Sequence, residues 1–128
     1  MTTKRIITSD KCPRAIGPYS MAVQSGPMVF ASGQLGLNPA TGELVPGGVE
    51  AETRQALQNL SRLLEAAGSS LAHAVKTTVF LREMDDFPRM NAVYAEFFPQ
   101  DPPARSTIQA AALPKGAAVE IECIAEVP

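Results

Sequence analysis

The fold is decided by residues 49–67, VEAETRQALQNLSRLLEAA, and by the segment that follows at residues 74–81, AVKTTVFL. The first segment places apolar side chains at the spacing of one helical face; they are Ala56, Leu57, Leu60, Leu64 and Ala67. Gly68 then provides a helix stop. The second segment is rich in β-branched residues, which favour a strand with sheet neighbours. The pair predicts a helix over 49–67 that leads into a strand over 74–81.

Short β-prone segments precede this helix. They predict strands over 5–8, 21–24 and 28–32, the last two joined as a hairpin through Ser25-Gly26-Pro27. Residues 37–48 contain Pro39, Pro46 and the pair Gly47-Gly48, which interrupt regular structure, so this segment is interpreted as a loop. The glycines of Ser32-Gly33-Gln34-Leu35-Gly36 are interpreted as a strand-to-loop turn, because two glycines make only a weak phosphate-binding signal.

A second helix and two more strands follow. Asp85 or Asp86 suits the N-cap of that helix and Pro88 its first turn. Its apolar stripe is Met90, Val93, Tyr94, Phe97 and Phe98, and Pro99 ends it. The last strands are predicted over 105–112 and 119–127, separated by residues 113–116.

The predicted order of elements is therefore β β β α β α β β. Two helical crossovers between strands favour an α+β fold. We expect a sheet with both helices packed on one face, and each crossover is expected to be right-handed. The opposite face of the sheet has no helix to cover it, so self-association is the simplest way to bury its apolar side chains. We expect one domain over residues 1–128 and a homo-oligomer.

Composition and charge argue against several classes of protein. The chain has 11 Lys and Arg against 13 Asp and Glu, a net charge of -2, so it has no basic field to attract nucleic acid. The sequence has no apolar segment long enough for a secretory signal or a membrane span. Cys12 and Cys123 are expected to be free thiols in a cytoplasmic protein. His73 is the only histidine, and no metal site is expected.

Arg105 and Glu120 are polar residues placed within predicted strands. Arg105 follows the stiff segment Pro102-Pro103-Ala104, and its rigid fork of donors suits a planar carboxylate. Glu120 lies between Val119 and Ile121, and to transfer a proton near neutral pH its pKa would have to be raised by partial burial. A surface arginine and a solvated strand face are the alternative interpretations.

Two further polar residues have structural alternatives of the same kind. By position alone, Tyr19 is interpreted as a core ring with a solvated hydroxyl. Asn91 is interpreted as a hydrogen-bonding group near the start of the second helix.

The spacing of Arg105 and Glu120 suggests a site shared between chains. If the last two strands pair around residues 113–116, Glu120 lies opposite Gln109 or Ala110, four or five positions from Arg105. At about 3.3 Å per residue, the two backbones would be on the order of 15 Å apart. A small ligand cannot bridge that distance, so we expect each site to combine residues of two adjacent chains.

Six motifs carry a family resemblance nearly from end to end. In chain order they are 16–20 (IGPYS), 30–34 (FASGQ), 75–80 (VKTTVF), 90–94 (MNAVY), 103–106 (PARS) and 119–121 (VEI). In these motifs the chain resembles the RidA/YjgF family of reactive-imine deaminases. The resemblance implies a chorismate-mutase-like α+β fold and a homotrimer whose sheets form a central barrel, with clefts between subunits. The implied activity is cofactor-free hydrolysis of 2-imino acids, such as 2-iminobutanoate and 2-iminopropanoate, to 2-keto acids and ammonia.

The resemblance also implies roles for individual residues. Arg105 would bind the substrate carboxylate and Glu120 would handle the attacking water, while Tyr19 and Asn91 would shape the pocket. Tyr19 is also a candidate for proton transfer. Main-chain groups at Gly33 and Thr107 would contact the imine end. Family members often have cysteine where this chain has Thr107, which excludes thiol chemistry at that position.

Three other functions remain open from the sequence alone. A non-catalytic regulatory trimer would use the same arginine to bind 2-keto acids without turnover. An RNA-directed role, as a ribonuclease or translation inhibitor, is also attached to the resembled family, but the acidic pI of about 5.4 counts against it. A purely structural assembly would leave the joint placement of Arg105 and Glu120 unexplained.

Overall fold

The computed structural model describes residues 3–128 and contains six strands, two α-helices and three single-turn 3₁₀ helices. The strands are β1 (Lys4–Ile7), β2 (Ala22–Ser25), β3 (Met28–Leu35), β4 (Ala74–Leu81), β5 (Ala104–Gln109) and β6 (Val119–Glu126). The helices are α1 (Gly48–Ala66) and α2 (Phe87–Phe97). The predicted order of elements and the α+β fold class are confirmed, with boundaries that differ by a few residues.

The six strands form one mixed sheet in the order β1-β2-β3-β6-β4-β5. Only β4 and β5 run parallel, and every other neighbouring pair is antiparallel. Both helices connect strands that run in the same direction: α1 joins β3 to β4, and α2 joins β4 to β5. The predicted hairpin between β2 and β3 is confirmed, and Gly26 in its turn has a φ of 59°.

The expected pairing of the last two strands is wrong. Strand β4 lies between β5 and β6, so Glu120 pairs with Phe80 and Leu35 rather than with Gln109 or Ala110. The helical crossover through α2 brings β5 back parallel to β4, which leaves β5 at the edge of the sheet. The link to β6 then passes the end of β4, where the Arg82 amide donates a 3.0 Å hydrogen bond to the Ala118 carbonyl.

The core lies between the two helices and one face of the sheet. Helix α1 contributes Leu57, Leu60, Leu63 and Leu64, all fully buried. Alternate residues of β6 point at them, and these are Val119, Ile121, Cys123 and Ala125. This alternation between buried and exposed positions is the pattern of a strand with one covered face. Both helices cover that face, here called the helix face.

The other face, here called the open face, carries apolar side chains that the chain leaves uncovered. Phe30 is 44% exposed and pairs with Val23 on one side and Ile124 on the other. Ile108 of β5 pairs with Phe80 of β4 and is 48% exposed. The expectation that no helix covers this face is confirmed for residues 3–128.

The structure corrects one local prediction and confirms another, the N-cap of the second helix. Residues 32–36 are not a plain strand-to-loop turn, because β3 continues to Leu35 through an irregularity between Ala31 and Gln34. Asp86 occupies the N-cap of α2 but makes no capping hydrogen bond, since its carboxylate pairs with Arg89 instead.

Both cysteines, Cys12 and Cys123, are buried free thiols, as expected. Burial raises the pKa of Cys123 to about 12, so that thiol is unreactive at neutral pH. Neither α1 nor α2 has the length and apolar character that crossing a bilayer requires.

Candidate functional site

Arg105 lies on the helix face at the edge of the sheet, where β5 meets α2. Its guanidinium carbon is 4.6 Å from the centre of the Tyr94 ring and 5.5 Å from that of Phe87. Arg105 pairs with Thr77 of β4, whose hydroxyl shares a 2.7 Å hydrogen bond with the Tyr94 hydroxyl. The two ion pairs among residues 3–128 involve other arginines, so no acidic side chain there holds the Arg105 guanidinium.

Asn91 and Thr107 lie beside Arg105. Phe87, Asn91 and Tyr94 are spaced four and three residues apart on α2, so they share one helical face. Thr107 is two residues beyond Arg105 on β5, and its side chain therefore points to the same side of the sheet. We call Arg105, Thr107 and Asn91 the arginine group; strand alternation and helix spacing place its three side chains on the same side of the sheet, where β5 meets α2.

The Thr107 hydroxyl is buried and has no hydrogen-bond partner among the described residues. A buried hydroxyl without a partner costs about 1–3 kcal/mol of stability. Within the arginine group, the Thr107 hydroxyl is the one polar side-chain atom that is shielded from water and makes no hydrogen bond to a described residue.

Glu120 lies on the open face next to Gly33 of β3. A methyl group added at Gly33 would lie 2.9 Å from the Glu120 Cδ, so the glycine leaves room for this carboxylate. Glu122 shares the open face with Glu120, two residues along β6. Burial, and secondarily the negative charge of Glu122, raise the pKa of Glu120 above that of an ordinary carboxyl group. The raised pKa makes Glu120 a better proton acceptor and donor near neutral pH.

Tyr19 belongs to the segment that leads into β2. Its side chain is 51% exposed, and its hydroxyl accepts a 3.3 Å hydrogen bond from the Ile16 amide. The next residue, Ser20, accepts a 2.6 Å hydrogen bond from the Ser32 hydroxyl, which ties this segment to β3 beside Gly33. We call Glu120, Gly33 and Tyr19 the glutamate group. Tyr19 is an exposed ring on the segment that this hydrogen bond ties to β3, not a core ring.

The two groups are separated within one chain. Arg105 is level with Thr77 of β4, and Glu120 is level with Phe80. Thr77 and Phe80 are three residues apart on β4, so their side chains point to opposite faces of the sheet. Arg105 and Glu120, which pair with them, therefore also point to opposite faces. Their backbones are also roughly 10 Å apart along the strands and roughly 10 Å apart across them. No small molecule can contact both side chains of a single chain.

A cavity of about 870 Å³ lies elsewhere, between the segment after β1 and helix α1. Its lining includes Asp10, Lys11, Arg62 and Glu65, and it contains no member of either group. Within residues 3–128, no three His, Cys, Asp or Glu side chains approach each other as metal ligands would.

Sequence reasoning missed three residues that shape the candidate site. The sequence pattern places Tyr94 only in an apolar stripe and gives no separate functional signal for Phe87 or Glu122. The spacing of Phe87, Asn91 and Tyr94 was a signal that they share a helical face. That this face meets Arg105 follows only from the position of β5 at the edge of the sheet.

Comparisons with curated proteins find relatives about half identical to this chain. A mouse protein named 2-iminobutanoate/2-iminopropanoate deaminase is 51% identical over 122 residues, which cover 95% of this chain and 90% of the mouse protein. The human protein of the same name is 47% identical, with 95% and 89% of the two chains covered.

Solved structures are similar over nearly the whole chain. RidA from an Antarctic Psychrobacter species is 44% identical with a TM-score of 0.92, covering 95% of this chain and 98% of that one. TdcF from E. coli with bound serine is 42% identical with a TM-score of 0.91 and the same coverage. A family model described as endoribonuclease L-PSP matches residues 9–127. With that match and relatives about 50% identical, the chain belongs to the endoribonuclease L-PSP family, also called the RidA/YjgF family.

Proposed function

We propose that this chain hydrolyses reactive 2-imino acids, such as 2-iminobutanoate and 2-iminopropanoate, to 2-keto acids and ammonia without a cofactor. Relatives 51% and 47% identical to it carry the name of this activity. Within the chain, the proposal depends on Arg105, a guanidinium held against two aromatic rings with no acidic partner among residues 3–128. No acidic side chain of these residues therefore competes with a substrate carboxylate for Arg105.

The arginine group recognises the substrate. A 2-imino acid is an anion whose electrophilic C2 atom is next to its carboxylate. A bidentate contact from Arg105 therefore selects for the acid and fixes the position of the reacting carbon. Asn91 forms the wall of the pocket on α2, and main-chain groups at Gly33 and Thr107 contact the imine end.

The glutamate group activates water. The Glu120 carboxylate takes a proton from water while the water oxygen bonds to C2, and the C=N double bond becomes a single bond. Glu120 returns this proton to the nitrogen, so that C2 carries one hydroxyl and one amino group. Glu120 then takes the hydroxyl proton and passes it to the nitrogen, the C–N bond breaks, and NH3 leaves as the C2 carbonyl forms. Tyr19 belongs to the same group and is a second candidate for transferring this proton. General acid–base catalysis of this kind contributes about 10²- to 10⁴-fold.

Each site is formed by two chains. Because the two groups point to opposite faces of one sheet, the arginine group of one chain must meet the glutamate group of another. Self-association through the open face also buries Phe30 and Ile108. We propose a homotrimer with one such site at each interface. The buried free thiols suit the reducing cytoplasm, which is the location we propose.

The test generates 2-iminobutanoate with a threonine dehydratase and follows the release of 2-ketobutanoate. The wild-type protein is expected to accelerate release. Arg105→Ala is expected to abolish the acceleration. Glu120→Gln keeps the shape of the side chain but cannot accept a proton, so it is expected to slow release about 10²- to 10⁴-fold while still binding 2-ketobutanoate.

The variants also separate this proposal from its alternatives. No acceleration by the wild-type protein would refute deaminase activity. Acceleration retained by both Arg105→Ala and Glu120→Gln would show that the site is elsewhere. Two matched substitutions far from the site, Arg62→Ala and Glu65→Gln in the cavity beside α1, serve as controls and are expected to keep the wild-type rate.

A second candidate is a non-catalytic protein that binds small amino or keto acids. The similar E. coli protein TdcF has bound serine, an amino acid with a carboxylate that the Arg105 fork would also suit. Binding of 2-ketobutanoate with no effect on imine hydrolysis would favour this candidate. An endoribonuclease role, named in the description of the family model, is disfavoured here by the net charge of -2.

A further inference from the structure

The guanidinium of Arg105 rests on the faces of two aromatic rings. Its central carbon lies 4.6 Å from the centroid of Tyr94 and 5.5 Å from that of Phe87. Both distances are within the range at which a cation is attracted to a ring face. The attraction acts through the face of the planar guanidinium and leaves the N–H groups at its rim available to a ligand.

The Tyr94 ring is itself held in place. Only 6% of the residue is exposed, and its hydroxyl shares a 2.7 Å hydrogen bond with Thr77 of β4. Phe98, one helical turn further, packs with its ring centre 4.5 Å from that of Tyr94. Tyr94 therefore connects α2 to the strand beside Arg105. The hydrogen bond fixes the position of the hydroxyl end of the ring, and packing against Phe98 restricts its rotation.

An acidic side chain would hold an arginine by a different means. A carboxylate would occupy the donors of the guanidinium, and a substrate carboxylate would have to displace it before binding. No acidic side chain of residues 3–128 forms such a pair with Arg105. The aromatic rings can fix the guanidinium without competing for the substrate.

We infer that Tyr94, assisted by Phe87, is a positioning residue for the carboxylate-binding Arg105. The fixed ring orients the guanidinium fork before substrate arrives, so that less conformational freedom is lost on binding. The kinetic part of this inference rests on the proposed function, whereas the orientation of Arg105 against the ring does not.

The orientation is tested by NMR on the protein labelled with ¹⁵N at arginine. Protons above an aromatic face are shielded, so the Arg105 Nε–H signal, assigned by its loss in Arg105→Lys, is expected upfield of the other arginines. Tyr94→Leu removes the ring face and is expected to return the signal to the ordinary range. Tyr94→Phe keeps the ring and is expected to keep most of the shift. An ordinary Arg105 signal in the wild-type protein would overturn the inference.

The kinetic test compares KM with kcat for imine hydrolysis. A ring that orients the fork contributes to carboxylate binding, so Tyr94→Leu is expected to raise KM about 10-fold, within the range of cation–π contributions, with a smaller change in kcat. Tyr94→Phe is the matched control and is expected to raise KM by less than about 3-fold. An unchanged KM in a folded Tyr94→Leu protein would contradict the inference.

A second variant covers the case in which Tyr94→Leu does not fold. Phe87 is half-buried at the start of α2 and farther from the guanidinium, so Phe87→Leu is expected to fold and to raise KM by about 3-fold. Its Arg105 signal is expected to move part of the way downfield. If neither KM nor this signal changes in Phe87→Leu, the aromatic rings do not position Arg105. If the wild-type protein shows the shielded signal but no hydrolysis, the proposed function fails and the orientation stands.

Discussion

Gly33 leaves the space that the Glu120 carboxylate occupies. Its φ lies outside the left-handed region, so alanine can adopt the same backbone conformation. The added methyl group would instead press on the far end of the flexible Glu120 side chain. We expect Gly33→Ala to fold normally but to lower kcat at least about 10-fold, because the proton-transferring carboxylate is displaced. Steady-state kinetics with a thermal melt would measure both effects.

Gly26→Ala is a useful comparison for this substitution. Gly26 has open space around it but a positive φ of 59°, so its replacement strains the backbone without touching the site. Gly26→Ala is expected to lower stability and to leave turnover unchanged. A Gly33→Ala protein with wild-type kcat would show that the position of the Glu120 carboxylate does not limit the reaction.

The negative charge of Glu122 is expected to set part of the pH dependence of deaminase activity. Glu120 must be ionised to accept a proton, so activity should fall as the pH drops through its pKa. Burial and the negative charge of Glu122 raise that pKa, and removal of the charge lowers it. Glu122→Gln is therefore expected to move the acidic limb of the kcat/KM profile to lower pH. In Glu126→Gln, which removes a charge farther along β6, the limb should not move.

The chemical types of the site residues were predictable from the sequence, but their grouping was not. The polar positions of Arg105 and Glu120 within strands, and their motifs, identified both side chains. Their placement on opposite faces depends on β4 lying between β5 and β6, which pairs them with Thr77 and Phe80. No local pattern in a single sequence indicates which strands will be neighbours in the sheet.

Helix α1 illustrates how much of an element its own sequence specifies. The spacing of its leucines predicted both the helix and its buried face, and the structure differs by one residue at each end. The extent of β3 was harder to predict, because Gly33 suggested a turn where the strand continues through an irregularity. Local propensity favoured the turn, and pairing with β6 overrides it.

The packing of α1 leads to a stability prediction. Leu60 is fully buried in the core between helix and sheet. Leu60→Ala leaves a cavity there and is expected to lower the free energy of unfolding by about 2–5 kcal/mol. Urea denaturation would measure the change. Gln58→Ala on the exposed side of the same helix should change stability by less than about 0.5 kcal/mol, and equal losses for both variants would contradict this account of the core.

At the scale of the whole molecule, assembly and activity are expected to be lost together. Phe30 lies on the open face between Val23 and Ile124. Phe30→Asp puts a charge into a surface that self-association would bury, so we expect a monomer with essentially no deaminase activity. Sedimentation velocity and the threonine dehydratase assay would be run on the same sample. Phe30→Leu is the conservative control, and a fully active monomer would contradict a site shared between chains.

The central position of β6 has a consequence for the order in which this protein can fold. Strand β6 follows the other five strands in the chain, yet among residues 3–128 it is the only connection in the sheet between β1-β2-β3 and β4-β5. A nascent chain from which Val119 has not yet emerged therefore holds two sheet fragments that are not paired with each other. Closure by late, sequence-distant contacts slows folding and leaves the part of α1 that packs on β6 uncovered until β6 has been made.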